Sequence, residues 1–175
     1  GAEILRLWGV SCDFTDDLRI GSELLKHQQE IYRRYRNTLR YMLGALNGYQ
    51  AKHAFSYQDL PDLEKWVLHR LHGLCEEFKE TAENYNYQSF YAKLHTFCST
   101  DLSAFYFDIR KDSLYCDPVL SPKRQGALWV MHQIFEQLVH MLVPVLPFTA
   151  QEAFQHRHRN MNDLSIQWAK LPEAP

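Results

Sequence analysis

The chain has 175 residues, 46% of them hydrophobic and 14% aromatic, which is enough to bury a substantial core as one domain. Its 19 Lys and Arg against 21 Asp and Glu give a formal net charge of −2, which excludes the global basic field of a nonspecific nucleic-acid binder. No apolar run reaches the roughly 18 residues a membrane helix needs, and the four cysteines (Cys12, Cys75, Cys98 and Cys116) form neither a CxxC pair nor a close-set disulfide framework. The expectation is a protein with reduced thiols in a cytoplasmic setting, without a membrane partner or a bound metal.

In chain order, the period of the apolar positions predicts helices at about 2–12, 22–47, 61–84, 87–115, 122–143 and 150–158, with no run alternating as a strand does. Ser22 can cap the second helix, Pro61 and Pro122 suit first-turn positions, and Thr149-Ala150-Gln151-Glu152 reads as a capping box. In PVLPFT, Pro144 and Pro147 remove backbone donors and force a break. LEKWVLHRLHGL places Trp66, Leu71 and Leu74 on a core stripe. Long helices joined by breaks such as CDPVLSP give an all-α fold, an up-and-down bundle of four long helices with short flanking helices.

The second helix is the most informative. On a wheel, Leu24, Leu25, Gln28, Ile31, Tyr32, Tyr35, Thr38, Leu39, Met42, Leu43 and Leu46 share one broad arc, the core side. Lys26, Arg33, Asn37, Arg40 and Gly44 align opposite within about 60°, with Arg36 at the border of the two arcs. Guanidinium forks reach phosphate oxygens bidentately and stack on unpaired bases, Asn37 can read a base edge or a 2′-hydroxyl, and Tyr41 adds a stacking ring. The competing reading is an ordinary solvated face of an amphipathic helix.

Two further cation groups are secondary candidates for RNA: Lys123 and Arg124 in the first turn of a helix, and Arg157 and Arg159 in the HRHR run where the last helix ends. Cations suit a helix C-terminus in any case, so the HRHR run has a plain dipole explanation as well. Asp108, Arg110, Lys111 and Asp112 in FYFDIRKDSLY read either as local ion pairs or as an RNA contact. His69 and His72 are spaced to share a metal, but nothing nearby completes a ligand set.

GAEILRLWGVSCDFTDDLRIG, YRRYRNTLRYMLGALNGY, LEKWVLHRLHGL, DLSAFYFDIRKDSLYCD and LVPVLPFTAQEAF, in this order, resemble the helical anticodon-binding domain of the class I aminoacyl-tRNA synthetases. RNTLRYMLG and FYFDIRKDSLY are most similar to the isoleucyl enzymes within that class. Phe154 departs from the tryptophan common there, and Gln151 replaces an acid; neither threatens the fold, since Phe154 still fills an aromatic socket.

The resemblance implies a module that grips the anticodon stem and loop of tRNA(Ile), not DNA, so that a ligase can join isoleucine to that tRNA. It also implies that ATP, with magnesium, is used on a catalytic domain carrying HIGH-like and KMSKS-like signatures, neither of which is found in these 175 residues. No P-loop, GxGxxG or nucleophile-base pair substitutes for them, so the chain is expected to be catalytically inactive alone and to hold no cofactor. The implied organisation is a junction from a catalytic domain at 1–20, the helical domain at 21–160 and the start of a C-terminal extension at 161–175. The alternative is a structural domain that packs on the catalytic body, with RNA held mainly by other parts of the parent.

Overall fold

A computed structural model describes residues 1–13, 15, 17–51, 55–158, 165–166 and 172–175. Among them the elements are α1 (Ala2–Val10), α2 (Ser22–Ala45), α3 (Asp62–Asn84), α4 (Tyr87–Thr96), a π-helical stretch (Phe97–Tyr106), α5 (Phe107–Cys116), α6 (Pro122–Leu142) and α7 (Pro147–Arg157), with a 3₁₀ turn at Tyr57–Asp59 and no strand. Backbone angles stay right-handed helical at Phe97 and Phe107, so α4, the π stretch and α5 run on as one rod.

Side-chain pairings give the direction of each long helix. Glu64, Arg70 and Glu77 of α3 meet Arg110, Asp101 and Lys93 of the rod, so the two run antiparallel. Tyr35, Thr38 and Tyr41 of α2 meet Tyr91, Ser103 and Phe107, so α2 runs parallel to the rod. The Tyr91 hydroxyl donates to Met141 O at 2.9 Å, while at the other end Arg124 of α6 donates to Asp117 O at 2.7 Å, which makes α6 antiparallel to the rod. This is an up-and-down bundle.

α6 is its axis. Val130, Met131, Ile134, Phe135, Leu138, Val139 and Leu142 are all buried, and α2, α3, α5 and α7 each pack on it. Its start is capped by Ser121, whose hydroxyl accepts from Arg124 N at 3.2 Å, with Pro122 in the first turn where no donor is needed.

Between α3 and the rod, the core encloses an ion pair. Glu64 is fully buried and Arg110 nearly so; Arg110 Nε donates to Glu64 Oε1 at 2.6 Å and its Nη2 to the other oxygen, while the Tyr106 hydroxyl donates to Oε1 at 3.2 Å. Burial works against the guanidinium charge, but the Glu64 hydrogen bonds and charge outweigh it and hold Arg110 above its ordinary value. Arg110 is thus a structural seam, while Lys111 pairs locally with Asp108 at 2.8 Å.

The corner between α6 and α7, where Pro144 and Pro147 stand, is tied down by α1. Arg6 donates to Pro144 O at 2.6 Å and to Val145 O at 3.1 Å. Glu3 accepts from the backbone of Phe148 at 2.8 Å and Thr149 at 3.1 Å, and from the Thr149 hydroxyl at 2.6 Å. The expected capping box is corrected accordingly: α7 begins at Pro147, Thr149 already lies in its first turn, and a carboxylate from a distant helix satisfies the free amides. Likewise Gly21, not Ser22, occupies the N-cap of α2, and Pro61 is the N-cap of α3. Trp66 sits at the rim, 36% exposed, edge-on to Phe105 at 5.2 Å, because Val67, Leu68 and Leu71 take the inward positions.

Two outcomes follow. Arg110→Met leaves the Glu64 carboxylate buried without its partner, with an expected loss of about 3–5 kcal/mol in urea unfolding, and Glu64→Leu combined with it recovers most of that loss. Glu3→Ala removes the cap of α7, and the same measurement should show a loss of about 1 kcal/mol.

Candidate nucleic-acid interface

The core arc of α2 is buried at Gln28, Tyr35, Thr38, Leu39, Met42 and Leu46, which turns the opposite arc to solvent. On that arc Lys26 pairs with Glu23 at 2.8 Å and Arg33 with Glu30 at 2.7 Å, both one turn back on the same helix. Those two cations are therefore partly neutralised where they stand. Asn37 and Arg40 are exposed and carry no hydrogen bond or ion pair among the described residues. Arg36 donates to the Tyr32 hydroxyl at 3.3 Å and lies 3.9 Å from Glu152 of α7; the Tyr32 bond and the charges of Tyr32 and Glu152 raise its proton affinity.

Arg36 and Arg40 border an open cleft of about 870 Å³ between the last turns of α2, the turn after it and α7. Across the cleft stand Glu152, His156 and Arg157, and at its end Asn47, Gly48, Tyr49 and Gln50. Gly48 has φ +76°, the left-handed geometry glycine adopts without cost, and it lets the chain turn away from α2 there. Leu43 supplies a partly exposed apolar wall, with Leu39 and Ala153 buried beneath the floor.

Arg157 is half-buried and donates to Tyr49 O at 3.2 Å, which ties α7 to the turn; its Nε is buried without a partner. Behind it lies a polar cluster. Glu136 shares a hydrogen bond with His158 Nε2 at 2.9 Å and stands 3.6 Å from His132 Nδ1. Burial would raise the Glu136 carboxyl, but the His158 hydrogen bond and the charges of His158, His132 and His140 overcome it and hold it below the usual carboxylate range. Burial also holds His132 below its ordinary value, with Arg157 and His158 adding to it against the pull of Glu136, which favours the neutral ring. No group of three or more His, Cys, Asp and Glu side chains among the described residues is arranged to hold a metal ion.

The remaining sequence candidates lie elsewhere. Tyr41 is half-buried with its ring stacked on Phe107, centroids 4.4 Å apart; its hydroxyl is pushed up to about 12, chiefly by burial. One face of that ring is therefore spoken for. Lys123 is exposed and Arg124 is occupied at the α5–α6 turn, both away from the cleft; Arg159 lies outside the described residues. The wheel of α2 did not reveal Glu152 and His156 as cleft residues, since only the packing of α7 on α2 brings them there, nor Asn47 and Gln50, which lie in the turn after the helix.

The sequence has known relatives. An isoleucine–tRNA ligase from Gluconobacter oxydans is 48% identical over 174 residues, covering 99% of this chain and 18% of that protein. Isoleucine–tRNA ligases from Pelagibacter ubique and Bradyrhizobium diazoefficiens are 40% and 43% identical, covering 99% and 89% of this chain and 20% and 16% of their own lengths. The chain thus spans about a fifth of the length of these curated relatives. No helix among the described residues is long and apolar enough to cross a membrane. The model of the anticodon-binding domain of tRNA ligase matches residues 64–175, from the buried glutamate of α3 through α7 and beyond, and with the all-helical bundle around it the chain belongs to that family.

Proposed function

We propose that this chain binds the anticodon stem and loop of tRNA(Ile) as part of an isoleucine–tRNA ligase, positioning the tRNA for aminoacylation. The observation that carries this reading is the convergence of Arg36 and Arg40 of α2 with His156 and Arg157 of α7 on one open cleft, in which Arg40 has no carboxylate partner among the described residues. Because the net charge is −2, such a local concentration is what distinguishes a polyanion site from the rest of the surface. Phosphates would meet Arg40 and Arg157, Asn37 would lie beside them for a base edge or 2′-hydroxyl, and Lys26 and Arg33, each holding an acid, would contribute less. The activity of the whole protein, with ATP and magnesium and in the cytoplasm, would be supplied by residues outside this chain.

A second reading has its own support. α1 is bonded to the α6–α7 corner through Glu3 and Arg6 yet leaves Leu5 half-exposed, and Phe148, whose amide Glu3 holds, is largely exposed. That face would suit packing against the catalytic body, which is compatible with RNA in the cleft.

Arg40→Ala should weaken tRNA(Ile) binding and lower the slope of log affinity against log salt by about one phosphate's worth, while Lys26→Ala changes both little. Filter-binding titrations at several salt concentrations decide this. Equal effects of the two substitutions, or none, would return α2 to a solvated face.

A further inference from the structure

A chain of hydrogen bonds joins the cleft to α1, a helix that supplies none of the described residues lining it. Arg36 Nη1 lies 3.3 Å from the Tyr32 hydroxyl, that oxygen lies 3.0 Å from Thr149 Oγ1, and Thr149 Oγ1 lies 2.6 Å from Glu3 Oε2. The direction of the chain is forced. A carboxylate only accepts, so the one hydroxyl proton of Thr149 goes to Glu3. Tyr32 must then donate to Thr149, which leaves its oxygen lone pairs for Arg36, a group that only donates. The chain therefore runs from a cation to an anion, an arrangement in which each bond polarises the next.

Its α1 end is fixed. Glu3 also accepts from Phe148 N at 2.8 Å and Thr149 N at 3.1 Å, and Arg6 ties the same helix to the carbonyls of Pro144 and Val145. Thr149 is buried. The cleft end is open: the Arg36 side chain is 55% exposed, and its Nη2 is 3.9 Å from Glu152, beyond hydrogen-bond length. Its proton affinity is raised chiefly by the Tyr32 hydrogen bond, and the charge of Glu3 reaches it as well. A guanidinium tethered at one nitrogen keeps its other donors for an anion, and it has already given up part of the freedom that binding would cost.

We infer that Glu3 of α1, acting through Thr149 and Tyr32, positions Arg36 for an anion in the cleft. The inference rests on the RNA-binding reading and makes α1 part of it. Glu3, Thr149 and Tyr32 are positioning residues, since the anion meets Arg36 and none of them. Without the chain Arg36 swings freely or turns to Glu152, and an incoming phosphate has to order it. The coupling is reciprocal: an anion that favours Arg36 on Tyr32 stabilises the docking of α1 at the α6–α7 corner by the same factor.

The test measures the affinity of the 175-residue chain for an anticodon stem-loop RNA by fluorescence anisotropy at several salt concentrations, as a double-mutant cycle. Thr149→Val, which keeps the shape and loses the hydroxyl, and Glu3→Ala should each weaken binding about fivefold, the effect of one side chain left to be ordered on binding. Thr149→Ser should stay within about twofold of the wild type, because the hydroxyl is kept. In an Arg36→Ala background, Thr149→Val and Glu3→Ala should each change affinity by less than about twofold, which a general loosening of α7 would not give. Circular dichroism melts set a temperature at which the variants are folded, and Tyr32→Phe, which keeps the ring and breaks the same chain, takes the place of Thr149→Val if that variant does not fold. Unchanged affinity in Thr149→Val and Tyr32→Phe, or an equal loss with and without Arg36, would overturn the inference and leave the RNA-binding reading standing. Absence of salt-dependent binding by the wild type would overturn both.

Discussion

A helix that is buried nearly all round must be wrapped, and α6 is such a helix, with no exposed residue from Arg124 to Leu142 and with α2, α3, α5 and α7 packed on it. The arrangement of the rest follows from that burial. α2 turns Tyr35, Leu39, Met42 and Leu46 inward, so Asn37 and Arg40 must face out; α7 folds back at the Pro144–Pro147 corner and lies beside α2. The cleft is the gap between two helices that both pack on α6.

Electrostatics then separates the cations of the chain by task. Arg110 spends its charge inside the protein on Glu64, a geometry in which both partners are satisfied and the loss of either is costly. Lys26, Arg33, Lys79 and Lys111 each pair with an acid three residues back, contacts that contribute little to stability and reduce the field these residues project. Arg6 and Arg124 close helix ends by donating to carbonyl oxygens. What remains toward solvent on the α2–α7 side is concentrated around Arg36, Arg40 and Arg157, held in place by Tyr32 and by the Tyr49 carbonyl. A near-neutral chain can in this way carry a locally cationic site.

The four long helices were legible in the sequence because helical apolar period, prolines and loop lengths agree, and the arc of α2 was legible residue by residue except at its start, where Leu24 is 45% exposed. The π stretch was missed, although a signal for it exists. Leu94, Cys98, Leu102, Tyr106, Arg110 and Leu114 recur every four residues and all face the core; on a pure α-helix each such step would rotate the face by about 40°. The wider π turns absorb that drift, as the Ser103 hydroxyl bonding back to Cys98 O at 2.7 Å reflects. Glu64 and Arg110 were unreadable as a pair because they lie on different helices, and so was the cap that Glu3 provides for α7. The cleft was half legible: its arginines stand out on one wheel, but Glu152 is a residue of another helix, and only tertiary packing sets it opposite Arg36.

The central claim is that RNA meets the bundle chiefly at this cleft. Its most direct measurement is the mapping of backbone amide shifts on the labelled chain as an anticodon stem-loop RNA is titrated in. The account predicts that the largest changes fall on Arg36–Gly48 and Glu152–His158, with Lys26 and Lys123 little moved. Changes concentrated on α3 or around Lys123, with the α2–α7 cleft unperturbed, would contradict it.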